Sequence, residues 1–355
     1  MFLSVYKKFG IKDPTVIEQR WSEPHRYFHT LEHLHDIYRQ IQLRETTSNE
    51  PFLYFGQKVP ELEILYISAA FHDIVYNPHN PDNEEQSVKV FHELCSGNLY
   101  EKYKELIETI IMDTKTHKAS NALSEIFQNM DTNILRSPFS DLLKWEKNIF
   151  KEYQFVDYSV YRHERVKFLN KYHNQESHDF CPLCSLIDYI ESYVPKVAIY
   201  PGSFNPFHIG HLTILQKAQK IFDKVIIAKC INPEKQDQDF YNKNFDLFGV
   251  DKPDGLFENR LFPFHQTEIF NGYLIDLIDS LKYQDITIVK GFRNDSDIKS
   301  EEDQRLYIED MDAKNQLKMC YIPCDREFRH VSSTGIRSME KMVRGSAMKY
   351  VLRIV

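Results

Sequence analysis

The chain changes texture once, near Pro195, and that change constrains the fold more than any other feature. Before it, apolar residues recur at helical spacing in one segment after another: Leu31, Leu34, Ile37, Tyr38 and Ile41, then Leu62, Leu65, Tyr66, Ala69 and Ala70. The same spacing predicts helices over 83–95, 100–112, 119–130, 141–153 and 158–172, with Pro and Asn punctuating between them. After it, short apolar runs alternate with helical ones. Lys196 to Tyr200, Lys224 to Lys229, Asp285 to Val289 and Lys318 to Ile322 read as strands, and 209–221, 276–282 and 303–316 as helices. Strands joined by crossover helices build a parallel sheet. The expected architecture is an all-α domain over 1–193 followed by an α/β domain with a parallel sheet over 194–355, and 355 residues suit two domains. The stretch from Asn232 to Arg260 is polar, aromatic-rich and aperiodic, and reads as a long surface loop.

Composition removes several classes. With 25 Phe and 21 Tyr there is ample apolar area for cores, which disfavours disorder. No apolar run reaches the roughly 18–20 residues of a membrane span. A formal charge of −8 argues against a nucleic-acid coat. In the N-terminal segment Lys7 and Lys8 follow the apolar residues, the reverse of an export signal, so the expected compartment is a reducing cytoplasm. Cys181–Cys184 and Cys320–Cys324 fall in different expected domains and the second spacing is wrong, so no zinc clip is expected. The 15 His are the compositional oddity.

Three separated segments of the first half hold metal-ligating residue types: Arg26-Tyr-Phe-His29-Thr-Leu-Glu-His33, Phe71-His72-Asp73 and Met130-Asp131. A His, an adjacent His-Asp pair and a later Asp, each at a helix end, form a ligand set that a helical bundle can aim at one divalent ion. Imidazole and carboxylate suit Mn, Fe, Zn, Ni or Co, with Mg also open. These segments, with Asp82-Asn-Glu-Glu85-Gln-Ser87, Thr114-Lys-Thr-His117 and Asp131-Thr-Asn-Ile-Leu135, resemble the HD superfamily of metal-dependent phosphohydrolases over about residues 15–175. The resemblance implies His33, His72, Asp73 and Asp131 as metal ligands. By similarity to the more distant cyclic-nucleotide phosphodiesterases, it implies His29 as the general acid. Arg26, Glu85, His117 and Arg165 are then candidates for phosphate contacts or for support around the metal, with Glu85 or His117 also open as holders of a second metal, and each reads equally well as a satisfied polar residue at a helix end.

The second half carries Tyr200-Pro-Gly-Ser203-Phe204-Asn-Pro-Phe-His208-Ile-Gly-His211 between an expected strand and an expected helix. Backbone amides of such a loop and the following helix start face phosphates, and two imidazoles three apart can stabilise charge on a transferring phosphoryl group. The motif is the HxGH signature of the nucleotidyltransferase superfamily. Class I aminoacyl-tRNA synthetases share it, but the lysine-rich second signature of that group is missing. Val331-Ser332-Ser333-Thr334-Gly-Ile-Arg337 and Val289-Lys290-Gly-Phe-Arg293 make the chain from 196 to 345 similar to bacterial phosphopantetheine adenylyltransferase, a Rossmann-like fold. That resemblance implies that Ser203, Phe204, His208, His211, Lys235, Lys290, Arg293, Ser332, Ser333, Thr334 and Arg337 hold ATP and the acceptor phosphate. It places His211, Lys235 and Arg293 at the chemistry and Glu302 near the ribose or base. Asn205, Lys290 and His208 depart from that pattern, and Lys at 290 loses a bidentate fork.

The expectation is a bifunctional enzyme. An adenylyltransferase using ATP with Mg acts on a phosphorylated acceptor, pantetheine 4′-phosphate first. A metal-dependent hydrolase acts on a phosphoester of nucleotide or coenzyme type. The expected partners are small molecules, with no nucleic acid and no membrane, and a homo-oligomer is compatible. Two alternatives stand: a nicotinate or nicotinamide mononucleotide acceptor, or one domain acting as a non-catalytic nucleotide sensor.

Overall fold

A computed structural model describes residues 2–47, 53–54, 57–58, 60–172, 181–231, 262–311 and 318–351. The aperiodic insertion from Asn232 to Arg260, and Lys235 with it, lies outside the described residues. The chain divides into two compact units. One is Met1–Glu152 with Lys167–Tyr189, and the other is Tyr153–Val166 with Ile190–Val355.

The first unit is built from α1 (Phe2–Lys8), α2 (Thr15–Trp21), α3 (Leu31–Thr47), α4 (Glu61–Phe71), α5 (Asn83–Leu94), α6 (Asn98–Thr116), α7 (Ala122–Asp131) and α8 (Phe139–Glu152). It also takes in the later parts of α9 (Tyr158–Asn170) and most of α10 (Pro182–Ser192). A short antiparallel pair, β1 (Leu53–Tyr54) and β2 (Gln57–Lys58), follows α3. Helix α4 is the axis of the unit: every residue from Ile64 to Phe71 is buried. A helix that is apolar all round has no face to offer water and goes to the centre. His72-Asp73 follows its last turn, so the chain delivers those two residues into the interior. Helix α3 turns Leu34, Ile37, Tyr38 and Ile41 inward, which carries His33 to the same side, and α7 ends on Asp131. Helices α1 and α2 were too short for a periodicity argument. Trp21 of α2 is fully buried and its Nε1–H donates to the Ala70 carbonyl at 3.0 Å.

The second unit holds a five-stranded parallel sheet of order β5-β4-β3-β6-β7. Its strands are β3 (Val197–Gly202), β4 (Lys224–Cys230), β5 (Thr267–Phe270), β6 (Ile286–Phe292) and β7 (Lys318–Pro323). Its helices are α11 (Ile209–Ala218), α12 (Leu274–Ser280), α13 (Asp295–Met311) and α14 (Ser333–Met342). Central β3 and β4 are buried on both faces. Ala198, Tyr200, Val225 and Ile227 pack on one side with Ile214 and Leu215, while Val197, Ile199, Ile226 and Ala228 pack on the other with Leu274 and Leu277. Continuous apolar strands of this kind belong to parallel sheets covered on both faces. Strand β5 escapes a pattern-based reading because it is a four-residue, half-exposed edge of mixed polarity. Helix α13 starts eight residues earlier than the spacing from Asp303 suggests, because its first turns are polar on every side. The strand order reverses between β3 and β6, and at such a switch point the crevice beyond the carboxyl ends of the strands receives ligands.

Tyr153–Val166 is held to this sheet by a buried cation. Lys224, at the start of β4, has no exposed surface, and its Nζ donates to the carbonyls of Gln154 and, at 2.9 Å, Val156. The Gln266 amide also donates to the Gln154 carbonyl, at 3.1 Å. Burial pulls the Lys224 ammonium down to about 7, against the neighbouring carboxylates of Asp157 and Glu268. A fragment beginning at Lys196 would bury that amine without acceptors, which costs on the order of 1–3 kcal/mol or more. We therefore expect the fragment Tyr153–Val355 to unfold at a clearly higher denaturant concentration than the fragment Lys196–Val355. Equal midpoints would show that the segment is not part of this folding unit.

Candidate active sites

In the first unit, the expected ligands converge. Ligand atoms of His33, His72 and Asp73 all lie within 4.8 Å of one another. Asp131 Oδ1 joins them, 3.0 Å from His33 Nε2 and 3.3 Å from His72 Nε2. Asp73 Oδ2 is 3.1 Å from His72 Nε2. Apolar rings wall the cluster: Trp21 is 5.4 Å and Phe127 5.3 Å from the His72 ring, and Phe28 is 4.6 Å from His33. The His72 Nδ1–H donates to the Ala69 carbonyl at 3.0 Å, which leaves the lone pair on Nε2. That Nε2 is buried and makes no well-formed hydrogen bond, although two carboxylates face it. Burial opposes a charged His72, yet Asp73 and Asp131 raise it well above the usual imidazole range. The cluster thus carries an excess of negative charge that attracts a proton in place of a cation. The donor set fits a divalent ion, and the carbonyl on His72 Nδ1 is the kind of outer contact that fixes a ligating imidazole.

His29 stands beside this cluster and is held by a group that the spacing did not reveal. Its Nδ1–H donates to Glu152 Oε2 at 2.7 Å. Glu152 is fully buried, and its Oε1 accepts the amides of Tyr27, Phe28 and His29 at 2.7, 2.7 and 3.0 Å. Tyr76 donates to Oε2 at 2.9 Å and stacks on His29 with ring centroids 4.1 Å apart. Burial would raise the Glu152 carboxyl, but His29 and the amides hold it down at about 2. In turn Glu152 raises His29 against the burial that lowers it, so the carboxylate favours the protonated imidazole.

The four supporting candidates fare differently. Arg26 is buried and spent on the backbone: it donates to the carbonyls of Asp73 at 2.7 Å, His29 at 3.2 Å and Ile74 at 3.2 Å, and it pairs with Glu23. It props the segments that carry the ligands and does not point a guanidinium at a phosphate. Glu85 pairs with Lys115, while its neighbour Glu84 is the carboxylate raised by burial and by the Asp73 charge. The sequence pattern names Glu85, and Glu84, one helical position before it, is the one that feels the Asp73 charge. His117 ends α6 at φ 54° and packs on Phe168 and Tyr172. Its Nδ1 is buried without a hydrogen bond, and burial lowers it against the pull of Asp131 and Asp73. Arg165 belongs to the Tyr153–Val166 segment of the second unit and is not counted in this site.

In the second unit, β3 runs into the loop at 202–208, α11 starts at Ile209, and a cavity of about 770 Å³ opens over the ends of β3 and β6. Ser203, Phe204, His208, His211, Lys290 and Arg293 line it, and Ser332, Ser333 and Thr334 close one side. Phe204 takes a left-handed φ of 44° and is buried against Tyr200, Phe207 and His211. The rings of His208 and His211 stack at 3.6 Å, and a Cβ on Gly210 would sit 3.1 Å from the His208 ring, so glycine there lets the pair close. The His208 amide donates to His211 Nδ1 at 3.2 Å, which puts the His211 proton on Nε2. Burial, then Arg293, pushes His208 down to about 4. Burial, with the charges of His208 and Arg293, holds His211 well below the imidazole range. Both rings are therefore neutral donors at pH 7.

Among the described residues, the two cations lining the cavity are already matched. Lys290 pairs with Glu301 at 2.7 Å, and Arg293 forms a fork on Asp297, with Nε to Oδ2 at 2.9 Å and Nη2 to Oδ1 at 3.0 Å. Glu302, expected near a ribose or base, does not line the cavity and pairs with Arg305 at 2.8 Å, while Glu301 one residue before it does line it. Ser332 caps α14 through the Gly335 amide at 3.0 Å. Ser333 donates to the Pro206 carbonyl at 3.0 Å and Arg337 donates to the Asn205 carbonyl, so these two hold the loop in place. Arg337 lies outside the lining and acts through that loop.

The depressed histidines carry a stability consequence. His208, and His265 with it, are pushed to about 4 by burial, against an ordinary 6.5. Unfolded imidazoles take up protons that the folded ones refuse, so this stability is complete above pH 6.5 and is lost as pH falls through about 4. At about 1.4 kcal/mol per pH unit, His208 alone accounts for roughly 3 kcal/mol. We expect the guanidinium midpoint of the second unit to drop between pH 7 and 4.5, and to drop less in His208→Gln. An equal drop in both would rule this out.

Comparison with known proteins places the second unit. A cytidylyltransferase-like family model matches residues 199–251. Phosphopantetheine adenylyltransferase of Clostridium botulinum strain Hall is 30% identical over 146 residues, which is 41% of this chain and 81% of that relative. The enzyme of the same name from strain Langeland is 31% identical over 147 residues with the same coverage. That of Clostridium perfringens strain SM101 is 29% identical over 146 residues, again 41% and 81%.

Proposed function

Because the chain belongs, through its C-terminal region, to the phosphopantetheine adenylyltransferase family, we propose that its second unit transfers the adenylyl group of ATP to a phosphorylated acceptor. Pantetheine 4′-phosphate is the first choice, giving dephospho-CoA and pyrophosphate. The observation that carries this is the neutral, stacked His208–His211 pair at the mouth of a cavity lined by Lys290 and Arg293. The acceptor phosphate attacks the α-phosphorus of ATP in line and pyrophosphate leaves. Negative charge grows on the non-bridging oxygens, and the His211 Nε2–H donates to it without a proton having to move. Lys290 and Arg293 add positive charge at the phosphates, and the start of α11 adds the positive end of its dipole. Lys235 is the further cation of this reading. Mg, bound with ATP, would screen the triphosphate. No covalent enzyme intermediate is needed, so rate comes from positioning and charge. The test is a pyrophosphate-release assay with ATP and a panel of acceptors. Release with pantetheine 4′-phosphate supports the reading; release only with nicotinate or nicotinamide mononucleotide shifts it to NAD synthesis; no release with any acceptor overturns it.

For the first unit we propose metal-dependent phosphoester hydrolysis of the HD type, on a nucleotide or coenzyme-like substrate. His33, His72, Asp73 and Asp131 would hold the ion. A divalent cation there supplies a Lewis acid for the phosphoryl oxygen and the attacking water. His29 is the residue that protonates the leaving oxygen: Glu152 fixes its Nδ1 and raises the imidazole, so Nε2–H is the proton given up. The buried His72 Nε2 aimed between two carboxylates supports this reading most. The single boundary near residue 193 is likewise a proposal, adjusted by the attachment of Tyr153–Val166 to the sheet.

A further inference from the structure

A pair of thiols stands apart from both constellations. Cys181-Pro-Leu-Cys184 opens α10, with Cys181 just before the first helical residue, Pro182. Proline at that position is preorganised for a helix start. The Ser185 amide donates to the Cys181 carbonyl at 3.1 Å, so residues 181–185 already form a helical turn. In that geometry the cap residue and the third helical residue face each other, as a capping box does. The two side chains act on one another: Cys181 raises the Cys184 thiol. All six cysteines are thiols, and both members of this pair are only partly buried.

Three of the other four cysteines differ. Cys95 and Cys324 are buried. Burial pushes Cys95 up to about 12 and raises Cys320 and Cys324. For Cys184 the leading cause is instead Cys181, which keeps the proton on Cys184. Cys181 stands at a helix start, the setting in which a thiolate is stabilised. A helical turn also keeps the two Cα atoms inside the span of roughly 4.4–6.8 Å that a disulfide requires.

We propose that Cys181 and Cys184 are a reversible dithiol–disulfide site that exchanges with small-molecule disulfides. The Cys181 thiolate attacks one sulfur of a disulfide such as oxidised glutathione, forming a mixed disulfide and releasing one glutathione thiolate. Cys184, losing its proton, then attacks the Cys181 sulfur and releases the second. The protein gives up two electrons and two thiol protons, and the reagent is reduced to two thiols. The adjacent second thiol makes the mixed disulfide short-lived.

The experiment uses the full chain in mixtures of reduced and oxidised glutathione, trapped with N-ethylmaleimide and mapped by mass spectrometry. In the oxidising mixture the peptide holding both residues should lose both labels and be two hydrogens lighter, and excess reduced glutathione should restore both labels. Cys184→Ser should stop at a lasting glutathione adduct on Cys181, and Cys181→Ser should leave Cys184 labelled. Circular dichroism of each variant checks that the fold is kept. Retention of both labels in wild type, a lasting wild-type adduct, or a disulfide from either residue to another cysteine would overturn the proposal.

Discussion

His211→Ala is expected to lower adenylyl transfer by roughly 10²–10³-fold while leaving phosphoester hydrolysis unchanged. The residue has one task in the proposed reaction. Its Nδ1 is occupied by the His208 amide, so the ring can offer only Nε2–H, and burial keeps it neutral at working pH. Alanine removes that donor and also the ring that stacks on His208 at 3.6 Å. His211→Asn separates the two losses, since it restores a short donor without the stack. If Asn recovers a measurable part of the rate, the donor matters. If Ala leaves transfer intact, the cavity is not the transfer site.

His72→Ala should do the opposite: hydrolysis is lost, bound metal falls below one equivalent, and transfer continues. His72 sits at the end of the most buried helix, with its Nδ1 anchored on Ala69 and its Nε2 between Asp73 and Asp131. Removing it leaves two partly buried carboxylates with one fewer neutralising neighbour. Destabilisation is therefore a competing outcome, and His72→Gln, of similar bulk, controls for it. Elemental analysis reads metal directly and does not depend on knowing the substrate. A folded His72→Gln protein that retains a full equivalent of metal would remove the site. Loss of both activities from either His211→Ala or His72→Ala, with the fold kept, would mean one composite site in place of two.

Much of this was legible in residue order. Helical spacing before Pro195 and alternation after it correspond to the helices of the first unit and the parallel sheet of the second. His33, His72, Asp73 and Asp131 stand out because each ends or opens a helix. His208 and His211 stand out because a strand, a turn and a helix follow in order. Such signals are local, carried by spacing and turn chemistry within a dozen residues. Among the elements that escaped, α1, α2 and β5 are too short or too mixed in polarity to carry a period, and α10 and the β1–β2 pair also went unread.

What only the tertiary structure decided is the set of partners. Glu152 reaches His29 from 123 residues away, and Trp21 and Phe127 close over His72 from two other helices. Arg26 could have served a phosphate as well as a backbone, and the structure sets it against the carbonyls of His29 and of the adjacent Asp73 and Ile74. Lys290 and Arg293 read as bare cations until α13 brought Glu301 and Asp297 against them. Tyr153–Val166 continues a helical pattern, yet the buried Lys224 ammonium draws its carbonyls to the sheet. Residue spacing records which chemistry a segment can supply. Burial determines which groups must find partners, and burial is set only when distant segments pack.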